Sequence, residues 1–159
     1  MPNDLYEHDI LEWSERQAGL LRRVANGERR NDVDWPNVIE EIAGVGSAVL
    51  NSVRGFLRQA MIHLLMIHLL KIHLAPDDLT RDHWLTELDA FLDDAAERFS
   101  PSMRQRIDLD GSFAKAQARV LRRAPGQVLP ATCPWTLDEL LAGDSDALLA
   151  AVPIQTTSA

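Results

Sequence analysis

The sequence predicts an all-α fold, a single-domain bundle of four main helices and a short C-terminal helix, with an unusually long second helix. Three observations carry that prediction. Apolar residues recur at helical spacing nearly everywhere. No run shows the two-residue alternation of a half-buried strand. Prolines and glycines punctuate the helical stretches at their ends, where a chain can start or stop a helix without losing a backbone hydrogen bond.

The first helix runs roughly from Asp4 to Asn26. Tyr6, Ile10, Trp13, Leu20 and Val24 share one stripe, with Leu21 beside it. Gly27 closes this helix, and a polar loop follows from Glu28 to Val33. The second helix starts near Asp34-Trp35-Pro36, with Asp34 as its cap and proline tolerated in the first turn. Its stripe reads Val38, Ile42, Val45, Val49, Phe56, Ala60, His63, Ile67, Leu70, Leu74 and persists to Pro76. At 1.5 Å per residue a straight helix of that extent would be about 60 Å long, so either it bends near Gly44 and Gly46 or one end projects and requires a partner. After Phe56 it is apolar on all sides, as a helix is at the centre of a core or between subunits.

The third helix runs from about Thr80 to Phe99. Trp84, Leu88, Phe91, Leu92, Ala95 and Phe99 face inward, and Glu87, Asp89, Asp93, Asp94 and Glu97 form an acidic outer face. Ser100-Pro101 is a cap followed by a first-turn proline, so the fourth helix begins there, with an interruption expected at Asp110-Gly111. Phe113, Ala116, Val120 and Ala124 form its inner stripe, Lys115, Arg119, Arg122 and Arg123 a basic outer face, and Pro125-Gly126 its end. Beyond a proline-rich loop, Thr136 and Glu139 have the spacing of a capping box for a short helix that ends at Gly143. Residues 1–143 are thus expected to form one helical domain and residues 144–159 a largely loose tail.

Composition narrows the functional classes. A chain of 159 residues with 46% hydrophobic content can bury a sizeable core. A formal net charge of −8 favours solubility and argues against nonspecific nucleic-acid binding. With Cys133 as the single cysteine, an intrachain disulfide and a multi-cysteine zinc site are both impossible. No basic-then-apolar leader is present, and the most apolar stretch, Ala60 to Leu74, is too short and too polar to span a bilayer. The expected location is the cytoplasm, with no membrane partner.

Four segments occur in a distinctive order. They are Asp4-Leu5-Tyr6-Glu7 with Asp9 and Trp13; Asn37-Val38-Ile39-Glu40-Glu41-Ile42; His68-Leu69-Leu70-Lys71; and Cys133-Pro134-Trp135-Thr136-Leu137-Asp138-Glu139-Leu140-Leu141. The ordered set resembles the domain-of-unknown-function 29 family, a group of small bacterial helical proteins, over roughly Asp4 to Leu141. The resemblance implies an all-helical fold and implies no activity.

The polar groups on apolar stripes are the candidates for chemistry. Steps of five residues rotate His63, His68 and His73 by about 140° from one to the next, so no two of them chelate one metal from this helix alone. Glu41, His68, Asp9 and Glu12 are the candidate site residues, as a carboxylate–histidine set between helices one and two acting as metal ligands or general base. Against this, a lone histidine on an apolar stripe is more often a core residue with a hydrogen-bond partner, and Glu40-Glu41 suits the start of a helix through the dipole. His83 and Glu87, like His8 and Glu12, have the spacing of helical ion pairs. Cys133 has no histidine near it in sequence and reads as a small buried hydrophobe. The basic face of the fourth helix lacks interleaved aromatics, and the acidic third helix is available to neutralise it.

The leading expectation is a protein-interaction or regulatory module that self-associates or binds a protein partner, with Trp35 and Trp135 as candidate contact residues. An enzyme, with or without a metal, is the alternative, and a weak nucleic-acid binder acting through the arginines of the fourth helix is the third reading. No cofactor motif is evident, and metal content is left open by the sequence.

Overall fold

The computed structural model describes the backbone of residues 2–73 and 78–153 and the side chains of residues 5–70 and 79–153. The side chains of Asp4, Lys71, His73 and Leu74 lie outside the described residues. The described elements are helical throughout: α1 (Pro2–His8), α2 (Ile10–Ala25), α3 (Trp35–His73), α4 (Asp78–Arg98), a 3-10 helix (Pro101–Arg106), α5 (Leu109–Arg123), α6 (Leu137–Ala142) and α7 (Ser145–Ala150). The all-α class expected from periodicity is therefore what the chain adopts. Among the described residues, no helix is long and apolar enough to cross a membrane. The chain divides into two compact units, Met1–Ala48 and Val49–Ala159.

In the first unit the expected single helix over 4–26 is two helices. Asp9 leaves helical geometry at φ −147° and its carboxylate accepts the Glu12 N–H at 2.9 Å, starting α2 afresh. A short acid that bonds its own backbone three residues on competes with helix continuation, and here it wins. α2 ends as expected at Gly27, whose φ of +90° suits glycine far better than a residue with a Cβ. Trp13, Leu20, Val33 and Val38 form the buried core of this unit, with Leu5, Tyr6, Leu21 and Val24 packed around it.

α3 continues through Gly44 and Gly46 without interruption. Its C-terminal part is the central element of the second unit. From Ala60 to Leu69 every side chain but the half-buried Met66 is buried, as the all-round apolar pattern demands. Around it lie Leu88, Leu92 and Ala95 of α4, Phe113, Ala116 and Val120 of α5, and Leu140 of α6. α4 also packs against α6 and α7.

The expected fourth helix is divided as well, though at Ile107-Asp108 rather than at Asp110-Gly111. Ser100 and Pro101 start a 3-10 turn that buries Met103, and Ile107 is extended. Asp108 then caps α5 through the Gly111 N–H at 2.9 Å. The turn is held by the Arg104–Asp138 ion pair at 2.8 Å and by Arg54 donating to the Arg106 carbonyl.

Over residues 144–153 the expectation of a loose tail is corrected, and residues 154–159 lie outside the described residues. Asp144 caps α7 through the Ala147 N–H at 3.1 Å, and Leu148, Leu149 and Val152 are buried in the core. Three apolar side chains repay ordering a single helical turn when a core is there to receive them. The Thr136–Glu139 capping box forms in both directions, and Gly143 ends α6 at φ +72°.

Candidate functional site

Two polar constellations stand out, one in each unit. The first is assembled on Asp34, which sits immediately before α3. Its carboxylate accepts the Asn37 amide at 2.8 Å and the Trp13 indole N–H at 3.2 Å. Its own backbone N–H donates to the buried Gln17 side chain at 2.9 Å. Hydrogen bonds from Asn37's side chain, then from the Trp13 indole and the Asn37 backbone, outweigh partial burial and hold the Asp34 carboxyl below its ordinary value. Trp13 in turn receives the Tyr6 ring edge-on at 4.8 Å between centroids. Tyr6 then donates its hydroxyl to Glu41 at 2.5 Å.

Trp13 and Gln17 stand four apart on α2, and Asn37 and Glu41 four apart on α3, so each of these two helices contributes one face, and Tyr6 joins them from α1. The tyrosine and tryptophan of the first motif and the asparagine and glutamate of the second, read separately along the sequence, meet in this network. The hydrogen bond to Glu41, the desolvation of the phenol and the negative charge of Glu41, Glu40 and Asp34 push the Tyr6 hydroxyl up to about 12.

That shift makes a direct prediction, because Tyr6 is the single tyrosine of the chain. An alkaline titration followed by tyrosinate absorbance is expected to show a midpoint near 12 in the native protein and near the ordinary value of about 10 once it is unfolded. The folded value is raised. The stabilisation from this bond is therefore complete below pH about 10 and disappears as pH rises through about 12. Glu41→Gln is expected to bring the midpoint down; a native midpoint near 10 in the unmodified chain would mean that the bond does not form in solution.

The second constellation is centred on His63, only 7% exposed. Its Nδ1 donates to the Gln59 carbonyl at 3.0 Å, and its Nε2 lies 2.8 Å from Glu87 on α4. Both ring nitrogens thus meet oxygen atoms of Gln59 and Glu87. The hydrogen bond from His63, opposed by burial and helped by the charge of His83 and His63, holds the Glu87 carboxyl below its ordinary value. His83 approaches the other Glu87 oxygen at 3.5 Å, the helical pair read from spacing. Trp84 and Phe91 flank the His63 ring at 4.6 and 5.1 Å.

The four residues singled out from sequence fall as follows. Glu41 receives the Tyr6 hydroxyl. Asp9 is the α2 cap, and Glu12 supplies the N–H that it binds. These three belong to the first unit; His68 is buried in the second. Among the described residues no group of three or more His, Cys, Asp or Glu is placed to hold a metal. Tyr6, Trp13, Gln17 and Asp34 were not singled out as a group by sequence reasoning, and neither was the contact of His63 with Glu87. The partners are up to 35 residues apart, and no local spacing announces them.

Trp135 is a core anchor rather than a contact surface. It is buried against Phe113 at 6.0 Å and donates its indole N–H to the Leu148 carbonyl at 2.8 Å. Trp35 is exposed. Cys133 is half-buried, its Sγ donating to the Trp135 carbonyl at 3.4 Å, and burial pushes its thiol up.

No curated protein matches the chain. A crystal structure of an α-helical protein of unknown function from Rhodospirillum rubrum is similar, with 26% sequence identity and a TM-score of 0.59 over 91% of this chain and 95% of that one. The family described as Domain of unknown function DUF29 matches residues 5–145. A match of that extent shows that the chain belongs to the DUF29 family.

Proposed function

We propose that this protein is an interaction module that works as a homodimer in the cytoplasm, pairing through the N-terminal part of α3. One observation carries the reading. Residues 39–48 of α3 are exposed on every face, although this stretch holds Ile39, Ile42 and Val45 at 62, 68 and 63% exposure, with Trp35 at 46% just before it. Large apolar side chains aligned on one side of a helix and left in water mark a surface that another protein covers.

The spacing supports a second copy as the occupant. Trp35, Ile39, Ile42 and Gly46 follow one another at steps of four, three and four, the seam of a two-helix coiled coil. The exposed positions flanking the seam are Pro36, Ala43 and Val45, with no charge among them, and Val38 at the fourth flanking position is buried in the core of the unit. Two identical strips therefore meet without like-charge repulsion, and nothing on the seam selects an oppositely charged partner. Glu40 and Glu41 lie away from the seam, and Glu41 is held by Tyr6. The cytoplasmic assignment is supported by the lone cysteine, which leaves no intrachain disulfide to form.

Sedimentation of the full chain is expected to give a species of twice the monomer mass at micromolar concentration. Ile39→Glu combined with Ile42→Glu, both at exposed positions, is expected to weaken association at least about tenfold, the factor set by 1.4 kcal/mol, with helical content retained. A chain that sediments as a monomer at high micromolar concentration would refute the proposal.

A further inference from the structure

We propose that the second unit binds a small organic phosphate in a cleft beside His63. The cleft has a volume of about 90 Å³. A site needs only about 10–15 Å³ of such space to admit one water, so the cleft has room for a ligand larger than a single water. It is lined by Gln59, Ile62, His63, Met66 and Trp84, and by Arg119 and Arg123 from α5.

Three observations point to an anion. First, Arg119 and Arg123 are four residues apart on α5, so both guanidinium groups rise on one side of the helix. Second, the neutralisation of the basic α5 face by acidic α4 that the sequence suggests does not occur. Among the described residues, neither arginine makes an ion pair, whereas Arg23, Arg30 and Arg104 all do. Third, the ring nitrogens of His63 are already taken by Gln59 and Glu87. His63 therefore offers ring surface rather than a free donor, and the side chains left to bond a ligand at this cleft are Arg119, Arg123 and Gln59.

Two guanidinium forks present a fixed array of N–H donors and two positive charges, which a doubly charged tetrahedral group meets with three oxygens. Ile62, Met66 and Trp84 carry no charge and give an apolar or planar substituent a surface to rest on. A phosphate monoester with a flat or apolar ester group has both halves of this chemistry. Glu87 is engaged by His63 and His83 and does not line the cleft.

The test is an NMR titration of the full chain at low salt with inorganic phosphate, phenyl phosphate and malonate in parallel. Saturable shifts of the Trp84 indole and the Arg119 and Arg123 side-chain resonances are expected, with phenyl phosphate binding more tightly than inorganic phosphate. Arg119→Gln with Arg123→Gln is expected to weaken binding at least tenfold, whereas Arg122→Gln, on the same helix but outside the cleft, leaves it unchanged. Circular dichroism of each variant checks that the helices persist. Shifts that never saturate, equal losses on changing Arg122, or tighter binding of malonate than of either phosphate would each overturn the assignment. Dimerisation through α3 is read separately by sedimentation, so the two proposals stand or fall independently.

Discussion

Trp135→Ala is expected to destabilise the second unit by about 3–5 kcal/mol, the cost of truncating a buried aromatic side chain in a core that relaxes only in part. Trp135 is 3% exposed, and its ring fills the space beside Phe113. The substitution also leaves the Leu148 carbonyl without its indole donor. That carbonyl belongs to α7, a single short helix held by Leu148, Leu149 and its cap, so the C-terminal segment is expected to detach first. Trp135→Phe separates the two contributions. It keeps most of the ring packing and loses only the hydrogen bond, a smaller cost of about 1 kcal/mol before the orphaned carbonyl is counted. Denaturant midpoints of the three proteins at equal slope check this. An alanine variant within about 1 kcal/mol of the parent chain would mean that the indole is not the anchor.

The second large effect is expected at Trp13. Among the described residues, Trp13, Leu20, Val33 and Val38 make up the buried hydrophobic core of the first unit, so Trp13→Ala removes its largest member. The expected cost is again about 3–5 kcal/mol. A unit this small has little stability to spare, because the fraction of surface buried falls with size. The substitution also removes the indole donor from Asp34 and the ring that receives Tyr6. Amide exchange within α2 is expected to accelerate strongly while amides of α5 keep their protection. The Tyr6 titration midpoint is expected to fall toward 10 in the same variant, since the hydroxyl would lose the ring that positions it against Glu41. Unchanged α2 exchange would show that the indole is dispensable to this core.

Periodicity made the helices legible because burial on one face is a local property of each stretch. Ala60 to Leu69 read as a helix buried on all sides, in a core or between subunits, and the Thr136–Glu139 box and Gly27 are short-range signals with short-range causes. Breaks caused by one residue were harder. Asp9 and Asp108 stop one helix and start another through a single carboxylate, and nothing about an aspartate in a helical stripe says whether its side chain turns to the backbone or to solvent. α7 was missed for a different reason. A six-residue helix has little propensity of its own, and it is the core waiting for Leu148 and Leu149 that decides the matter.

The polar networks were the least legible. Glu41 was a reasonable candidate, and it does hold a short hydrogen bond, but its partner Tyr6 had been assigned to an apolar stripe. His63 had been passed over in favour of His68. The feature that marks His63 is its contact with Glu87, 24 residues away on another helix, which no local spacing announces.

Cys133 gives the molecule a natural clock. Half-buried, with its thiol pushed up by burial and tied to the Trp135 carbonyl, it is poorly disposed to form the thiolate that reacts. Alkylation of the native chain must then wait for the segment around the Trp135 anchor to open. Under conditions where reclosing outpaces labelling, the ratio of the native rate to the unfolded rate is the fraction of time that segment spends detached. The only sulfhydryl in the chain can therefore time the breathing of its C-terminal end without a single engineered residue.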